Sequence, residues 1–324
     1  MDYHVVVSEQ YRVLFAVCDN TGNFSVAPLS AEVTFRNPYG FVPGVFYAYP
    51  AFFGVATASY FVLATWYAFM WCLNRQNLLT LQHWVLMILV VGLLEAVVYL
   101  ESYLSKNGSG QPPCCPVAVD VVFGVVFNVL KKALSRWVLL AVCLGYGVVH
   151  QRLSARPRNW LAVATIVYTV FALNLEIRVA TSRTVVRSVR GHRGWQWELP
   201  VFIIDVVFLF AINGALGTIR RQLKDANQEV KLKMYDSLAS MLFGFVGLWI
   251  GCAALVIFTE TGIVPLGWRF EWLVLRVWDV IYFLLLGVIA VLWRPSQQNF
   301  QYAAYAQPTE HAMPAGADSD EEEA

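Results

Sequence analysis

Ala51–Leu73 is a run of 23 residues without a single charge. At 1.5 Å per residue it makes a helix of about 35 Å, enough to cross the ~30 Å hydrocarbon core of a bilayer. In lipid a backbone must satisfy its own N–H and C=O groups, so such a run spans as a helix. Leu238–Phe258 is a second uncharged run, of 21 residues. Gln82–Leu104, Asp120–His150, Trp160–Thr181, Leu199–Ile219 and Glu271–Trp293 qualify once a few charges are admitted. Seven spans follow, and with them an all-α membrane protein built as a seven-helix bundle. The third span, at 31 residues, is too long for one perpendicular crossing; its first third runs along the membrane, or the helix tilts.

Composition agrees. Hydrophobic residues make up 58% and charged residues 14%, against about 45–50% and ~25% in soluble domains. A soluble globule of this size could not cover itself with polar surface. A soluble enzyme, a disordered chain and a nucleic-acid binder are excluded. The net charge of +1 gives no global field to recruit acidic partners, and 12 Trp suit two membrane–water interfaces.

Ahead of the first span the pattern changes. His4–Val7, Tyr11–Ala16 and Ala31–Phe35 are short runs rich in β-branched residues and read as strands. Three strands bury too little to stand alone, so they read as the end of a β-domain that begins upstream. The expected organisation is a β-rich segment and linker over 1–45, the bundle over 46–295 and a polar tail over 296–324.

Seven spans put the termini on opposite sides. With the N-terminus luminal, the cytosolic segments hold ten Lys and Arg and the luminal ones eight, a small margin in the expected direction. The sequons at Asn23 and Asn107 then both fall in the lumen, and the acidic tail Asp318–Glu323 in the cytosol. Ser319 precedes four acidic residues, a setting suited to acidophilic kinases. Cys18, Cys114 and Cys115 are luminal, where oxidation is possible. Cys18 could bridge to Cys114 or Cys115, or one of the three could pair outside this chain. Cys72, Cys143 and Cys252 lie in spans and read as small core residues.

The spans carry no constellation for known membrane chemistry. The last has no Lys for a retinal Schiff base, and none of the five His lies deep in a span to hold zinc or haem. No Gly-rich phosphate loop, nucleophile elbow or Cys-x-x-Cys pair is present. No cofactor and no enzymatic activity are expected. What stands out instead is charge at depth: Glu95, Glu101, Lys131, Lys132, Arg136, Glu176, Arg178, Asp205, Arg276 and Asp279. A charge at the bilayer centre costs ~3 kcal/mol on insertion scales, so such residues face the bundle interior or water. Counted from the span ends, Glu101, Lys131, Glu176, Arg178, Asp205, Arg276 and Asp279 share the luminal half. They form either a polar cavity for a ligand, lipid head group or ion, or a set of structural ion pairs. Lys131 needs a carboxylate, and Glu176 on the next span is its first expected partner. Beyond Ile219 the helical pattern continues to about Ser237 as a Lys-rich cytosolic extension, with Glu229 and Lys233 as an i,i+4 pair. Arg183, Arg187, Arg190 and Arg193 recur every three or four residues on the luminal side.

In order along the chain stand Asn37-Pro38-Tyr39-Gly40; Leu81-Gln82-x-Trp84, Leu94-Glu95, Tyr99, Glu101 and Tyr103; Lys131-Lys132-x-x-x-Arg136 and Leu144-Gly145-Tyr146-Gly147; Glu176; Asp205; and Trp268-Arg269, Trp272, Trp278 and Leu292-Trp293-Arg294-Pro295. In that order and spacing, from about residue 37 to about 305, the chain resembles the lung seven-transmembrane receptor family, the GOLD-domain seven-transmembrane proteins of the Golgi. The resemblance implies a luminal GOLD-type β-sandwich on the bundle, of which this chain keeps at most the last strands. It implies residence in the Golgi and neighbouring membranes and a role in traffic: Golgi–endosome retrieval and sorting, with membrane cargo, cytosolic sorting adaptors and the lipid bilayer as partners. A cation channel or transporter using the charged cavity is the alternative. Receptor signalling is not implied, because the third span lacks an Asp-Arg-Tyr end and the seventh an Asn-Pro-x-x-Tyr end.

Overall fold

The computed structural model describes residues 36–109, 119–146, 155–184, 195–261, 263 and 270–295. The β-rich 1–35 segment, Cys18, Asn23, Cys114, Cys115, the 185–194 arginines, Trp268-Arg269 and Ser319 lie outside them. Within them are seven α-helices: α1 Tyr49–Leu73, α2 Thr80–Ser109, α3 Val119–Cys143, α4 Ala155–Thr184, α5 Trp195–Asp225, α6 Glu229–Glu260 and α7 Glu271–Leu292. Five of them contain an expected span whole, α7 ends one residue short of its span, and α3 covers only the first part of its own. Neighbours in sequence pack as neighbours in space from α1 to α4, α7 returns to α1 and α2, and α3 also packs on α5.

The outer surface is apolar. Val55, Phe61, Val62 and Phe69 of α1, Val163, Ile166 and Val170 of α4, Phe210 of α5 and Phe243, Ile250 and Ile257 of α6 are all exposed. In water this area would be unfavourable by ~25 cal/mol per Å²; in acyl chains it is at home. Five of the helices are by length and composition able to cross a membrane. The other two, α3 and α7, carry Lys131, Lys132, Arg136, Arg276 and Asp279. Among the described residues the interior holds a main apolar cluster, in which Tyr60, Tyr67, Leu81, Leu89, Tyr168, Tyr235 and Ala290 are buried, and a smaller one of Tyr49, Phe53 and Tyr99.

Three readings of the sequence are corrected here. The third span stops at Cys143, not near His150. Gly145 takes φ 83°, Gly145 N–H donates to the Val142 carbonyl at 2.8 Å and Tyr146 N–H to the Ala141 carbonyl at 3.0 Å. This is a Schellman stop, whose left-handed residue glycine adopts without a Cβ penalty. The fifth span does not run on to Ser237. Asn227 at φ 52° ends α5 in the same way, with Gln228 N–H on the Leu223 carbonyl at 3.0 Å, and α6 starts at Glu229. In place of a Glu229–Lys233 pair, Arg220 Nε meets Asp236 Oδ1 at 2.5 Å across that turn. Cys72 is exposed rather than a core residue, Cys252 is half-buried, and Cys143 is buried.

Two sets of contacts fix the ends of the bundle. At one end Asn107 of α2 holds the segment ahead of α1. Its Nδ2 donates to the Tyr39 carbonyl at 2.9 Å, its Oδ1 accepts from Val42 N–H at 3.3 Å, and its carbonyl accepts from Phe41 N–H at 3.3 Å. Gly40, at φ 128°, lies so close that a Cβ there would sit 2.1 Å from Asn107 Oδ1. At the other end the Trp293 carbonyl accepts from Tyr67 Oη at 3.1 Å and Gln82 Nε2 at 3.4 Å, and the Pro295 carbonyl from Asn74 Nδ2 at 3.3 Å. The Gln82 motif of the second span and the Trp-Arg-Pro motif of the seventh are therefore two halves of one contact.

Candidate functional site

Residues Asn128, Lys131, Lys132, Ser135 and Arg136 recur on α3 at three- and four-residue spacing, which places them along one flank. At about 100° per residue, Lys131, Lys132 and Arg136 fan across roughly 140° of helix surface. Each cation consequently faces a different neighbour. Lys131 Nζ pairs with Glu95 Oε2 of α2. Lys132 Nζ pairs with Glu176 Oε1 of α4 at 2.9 Å, and Arg136 Nε with Asp205 Oδ1 of α5 at 2.7 Å. Asn128 Nδ2 also donates to Glu176 Oε1, at 3.1 Å.

Aromatic rings complete the layer. Lys131 Nζ lies 4.7 Å from the Tyr282 ring centroid and 5.8 Å from that of Tyr60. The Tyr282 hydroxyl bonds to that of Ser135 and donates to the Lys131 carbonyl at 3.4 Å. The guanidinium of Arg136 stacks on Tyr168 at 4.1 Å. On α7 the Arg276 guanidinium donates through Nη1 to Asp279 Oδ2 at 2.9 Å. Four cations and four carboxylates are thus paired, three of the pairs joining α3 to α2, α4 and α5 and the fourth lying within α7.

Expectations for three residues change. Lys131 takes Glu95, not Glu176, and sits midway along α3 rather than near its luminal end. Glu101 is exposed and takes part in none of the described ion pairs. Arg178 donates to Asn174 Oδ1 of its own helix at 2.8 Å, away from the layer. Tyr60, Tyr168, Tyr282, Asn128 and Ser135 were not singled out by their sequence, since a tyrosine or serine in a span reads equally well as core.

Burial grades across the layer. The side chains of Lys131 and Glu95 are 4% and 7% exposed, whereas those of Arg136 and Asp205 are 25% and 34% exposed. Alongside Ser135 lies an apolar cavity of about 20 Å³ walled by Val85, Ile88, Val138 and Leu286, among others. That is room for about one water. Among the described residues no group of three His, Cys, Asp or Glu could hold a metal ion. The layer offers ionic locking between helices.

A lipid-faced seven-helix bundle with the three α3 cations paired to carboxylates of other helices defines a polytopic membrane protein. The chain belongs to the family described as GOST, seven transmembrane domain, which it matches over residues 49–300. It is 23% identical over 280 residues to Transmembrane protein 87A of Xenopus tropicalis, covering 85% of this chain and 49% of that protein. It is 26% identical over 294 residues to Membrane protein PTM1 of Saccharomyces cerevisiae, covering 87% of this chain and 54% of the other. With human Transmembrane protein 87B it shares 25% over 325 residues, 95% of this chain and 53% of that one. The chain therefore spans about half the length of the curated relatives it matches.

Proposed function

We propose that the protein is a non-enzymatic, multi-pass protein of the Golgi and neighbouring endomembranes that serves membrane traffic, retrieving or sorting membrane cargo. Its N-terminus is luminal and its C-terminus cytosolic. The observation that carries the reading is the pairing of Lys131, Lys132 and Arg136 with carboxylates of three other helices. Such a layer makes the bundle a fixed frame on which luminal and cytosolic segments are held. The Lys-rich turn at 220–233 and the acidic tail with Ser319 are the segments available to sorting adaptors. The test follows a tagged chain in cells against Golgi markers, with and without Asp318–Ala324. Co-localisation that shifts on truncation supports the reading; a plasma-membrane distribution unaffected by the tail overturns it.

One observation favours a second reading, a cation channel or transporter. Lys132–Glu176 and Arg136–Asp205 keep between about a fifth and a third of their side-chain exposure, so that flank of the layer is less tightly enclosed than the Lys131–Glu95 end. Current through bilayers holding only the purified chain, with selectivity altered by Glu176→Gln or Asp205→Asn, would establish it. A silent bilayer together with cargo missorting in cells would leave the traffic reading alone.

A further inference from the structure

Arg276 is 8% exposed, yet its Nε and Nη2 are buried without a hydrogen-bond acceptor. Only Nη1 is used, on Asp279. Arginine has five N–H donors, and Nε with Nη2 is the edge that grips two oxygens side by side. The faces of the guanidinium are occupied, with the Tyr49 and Phe53 ring centroids at 4.5 and 4.9 Å and Tyr99 at 6.0 Å. Rings stabilise the charge through its face but leave donors in the plane unmet. An unmet buried donor is costly, and more so on a charged group. A purely structural stack would lose that energy with no return.

The surroundings fit an anion. Phe46, Tyr49, Phe53, Tyr99 and Tyr103 form an aromatic collar, with Phe46 5.0 Å from Tyr49 and Tyr103 5.0 Å from Tyr49. The collar lies at the start of α1 and the end of α2, about 8 Å along α7 from its first residue, a depth where head groups and water begin. At its rim Lys106 stands over the Tyr103 ring at 5.7 Å and donates through Nζ to Ser102 Oγ at 2.8 Å. Aromatic walls exclude water and strengthen a charge-assisted fork.

The geometry points to an oxyanion site in which the Nε/Nη2 edge of Arg276 takes two oxygens of a phosphate or carboxylate group, walled by Tyr49, Phe53 and Tyr99. The source is either a free anion or the head group of an anionic lipid. The site is separate from the α3 ion pairs and independent of the traffic reading.

The test uses the purified full chain in phosphatidylcholine nanodiscs, titrated with inorganic phosphate against chloride at equal ionic strength. A parallel set of nanodiscs contains phosphatidic acid. A saturable rise in Tm of about 2–4 °C with phosphate assigns a free anion, and the same rise only with phosphatidic acid assigns a head group. Arg276→Lys keeps the charge but loses the fork, and should abolish the rise in both sets. Should that variant not fold, Lys106→Gln at the half-buried rim should raise the apparent Kd about threefold. Identical Tm in chloride, phosphate and phosphatidic acid overturns the site, as does a shift that survives Arg276→Lys or is untouched by Lys106→Gln.

Discussion

Lys131 of α3 and Glu95 of α2 form the most deeply buried of the described ion pairs, with side chains 4% and 7% exposed. Removing one member strands the other charge. Lys131→Ala or Glu95→Ala alone should lower stability by about 3–5 kcal/mol, read as a large fall in Tm and in the amount of protein recovered. The double variant should regain a good part of the loss. Lys131→Ala with Glu176→Ala should show much weaker coupling, because Glu176 belongs to Lys132. Equal coupling in the two cycles would contradict the pairing.

Arg136 binds Asp205 through Nε and stacks on Tyr168 through its face. Lysine reproduces the charge but neither the planar donor nor the stack. Arg136→Lys should destabilise by about 1–2 kcal/mol, and Tyr168→Leu should add little on top of it. Full additivity of the two, measured by thermal unfolding in detergent, would separate the ring from the guanidinium.

Asn107 uses Nδ2, the atom a glycan would occupy, to donate to the Tyr39 carbonyl. With Oδ1 also held by Val42 N–H and Gly40 packed against the amide, the folded site leaves a glycan little room, and Asn107→Gln should leave electrophoretic mobility unchanged while lowering Tm. Gly40→Ala should weaken the same contact, since its Cβ would meet Asn107 Oδ1 at 2.1 Å. A glycan-sensitive band that disappears in Asn107→Gln would refute this.

Gly145 stops α3 at φ 83°, and Asn227 stops α5 at φ 52°. Gly145→Val should destabilise by at least ~1 kcal/mol, whereas Asn227→Gly should be neutral or slightly stabilising. Comparing the two by Tm checks whether the left-handed residues, rather than the apolar runs around them, set the helix ends.

The helices were legible because a span imposes its length and apolarity on every residue it contains, and Ala51–Leu73 has no other reading. Their ends were less so. The run from Asp120 to His150 stays apolar through Gly145, and apolarity carries no record of a single left-handed residue. That overlong span displaced the depth of Lys131, which had been counted from its start, and made Glu176 rather than Glu95 the expected partner. Pairing depends on helix rotation and tilt, and those are set by packing around Tyr60 and Tyr282 that one chain's pattern does not encode. The buried fork of Arg276 was hidden for the same reason. An arginine three residues before an aspartate reads as a satisfied i,i+3 pair, and only the coordinates reveal that two nitrogens remain unmet.

The Asn107 contact sets the order in which a tug on the chain would be felt. Residues 39–42 are tied to α2 before the chain reaches the first turn of α1. Tension arriving from ahead of residue 36 therefore loads α2, and through Glu95 its ion pair with Lys131 in α3, before it can peel α1 from the bundle. The second helix acts as the bracket and the first as a passenger.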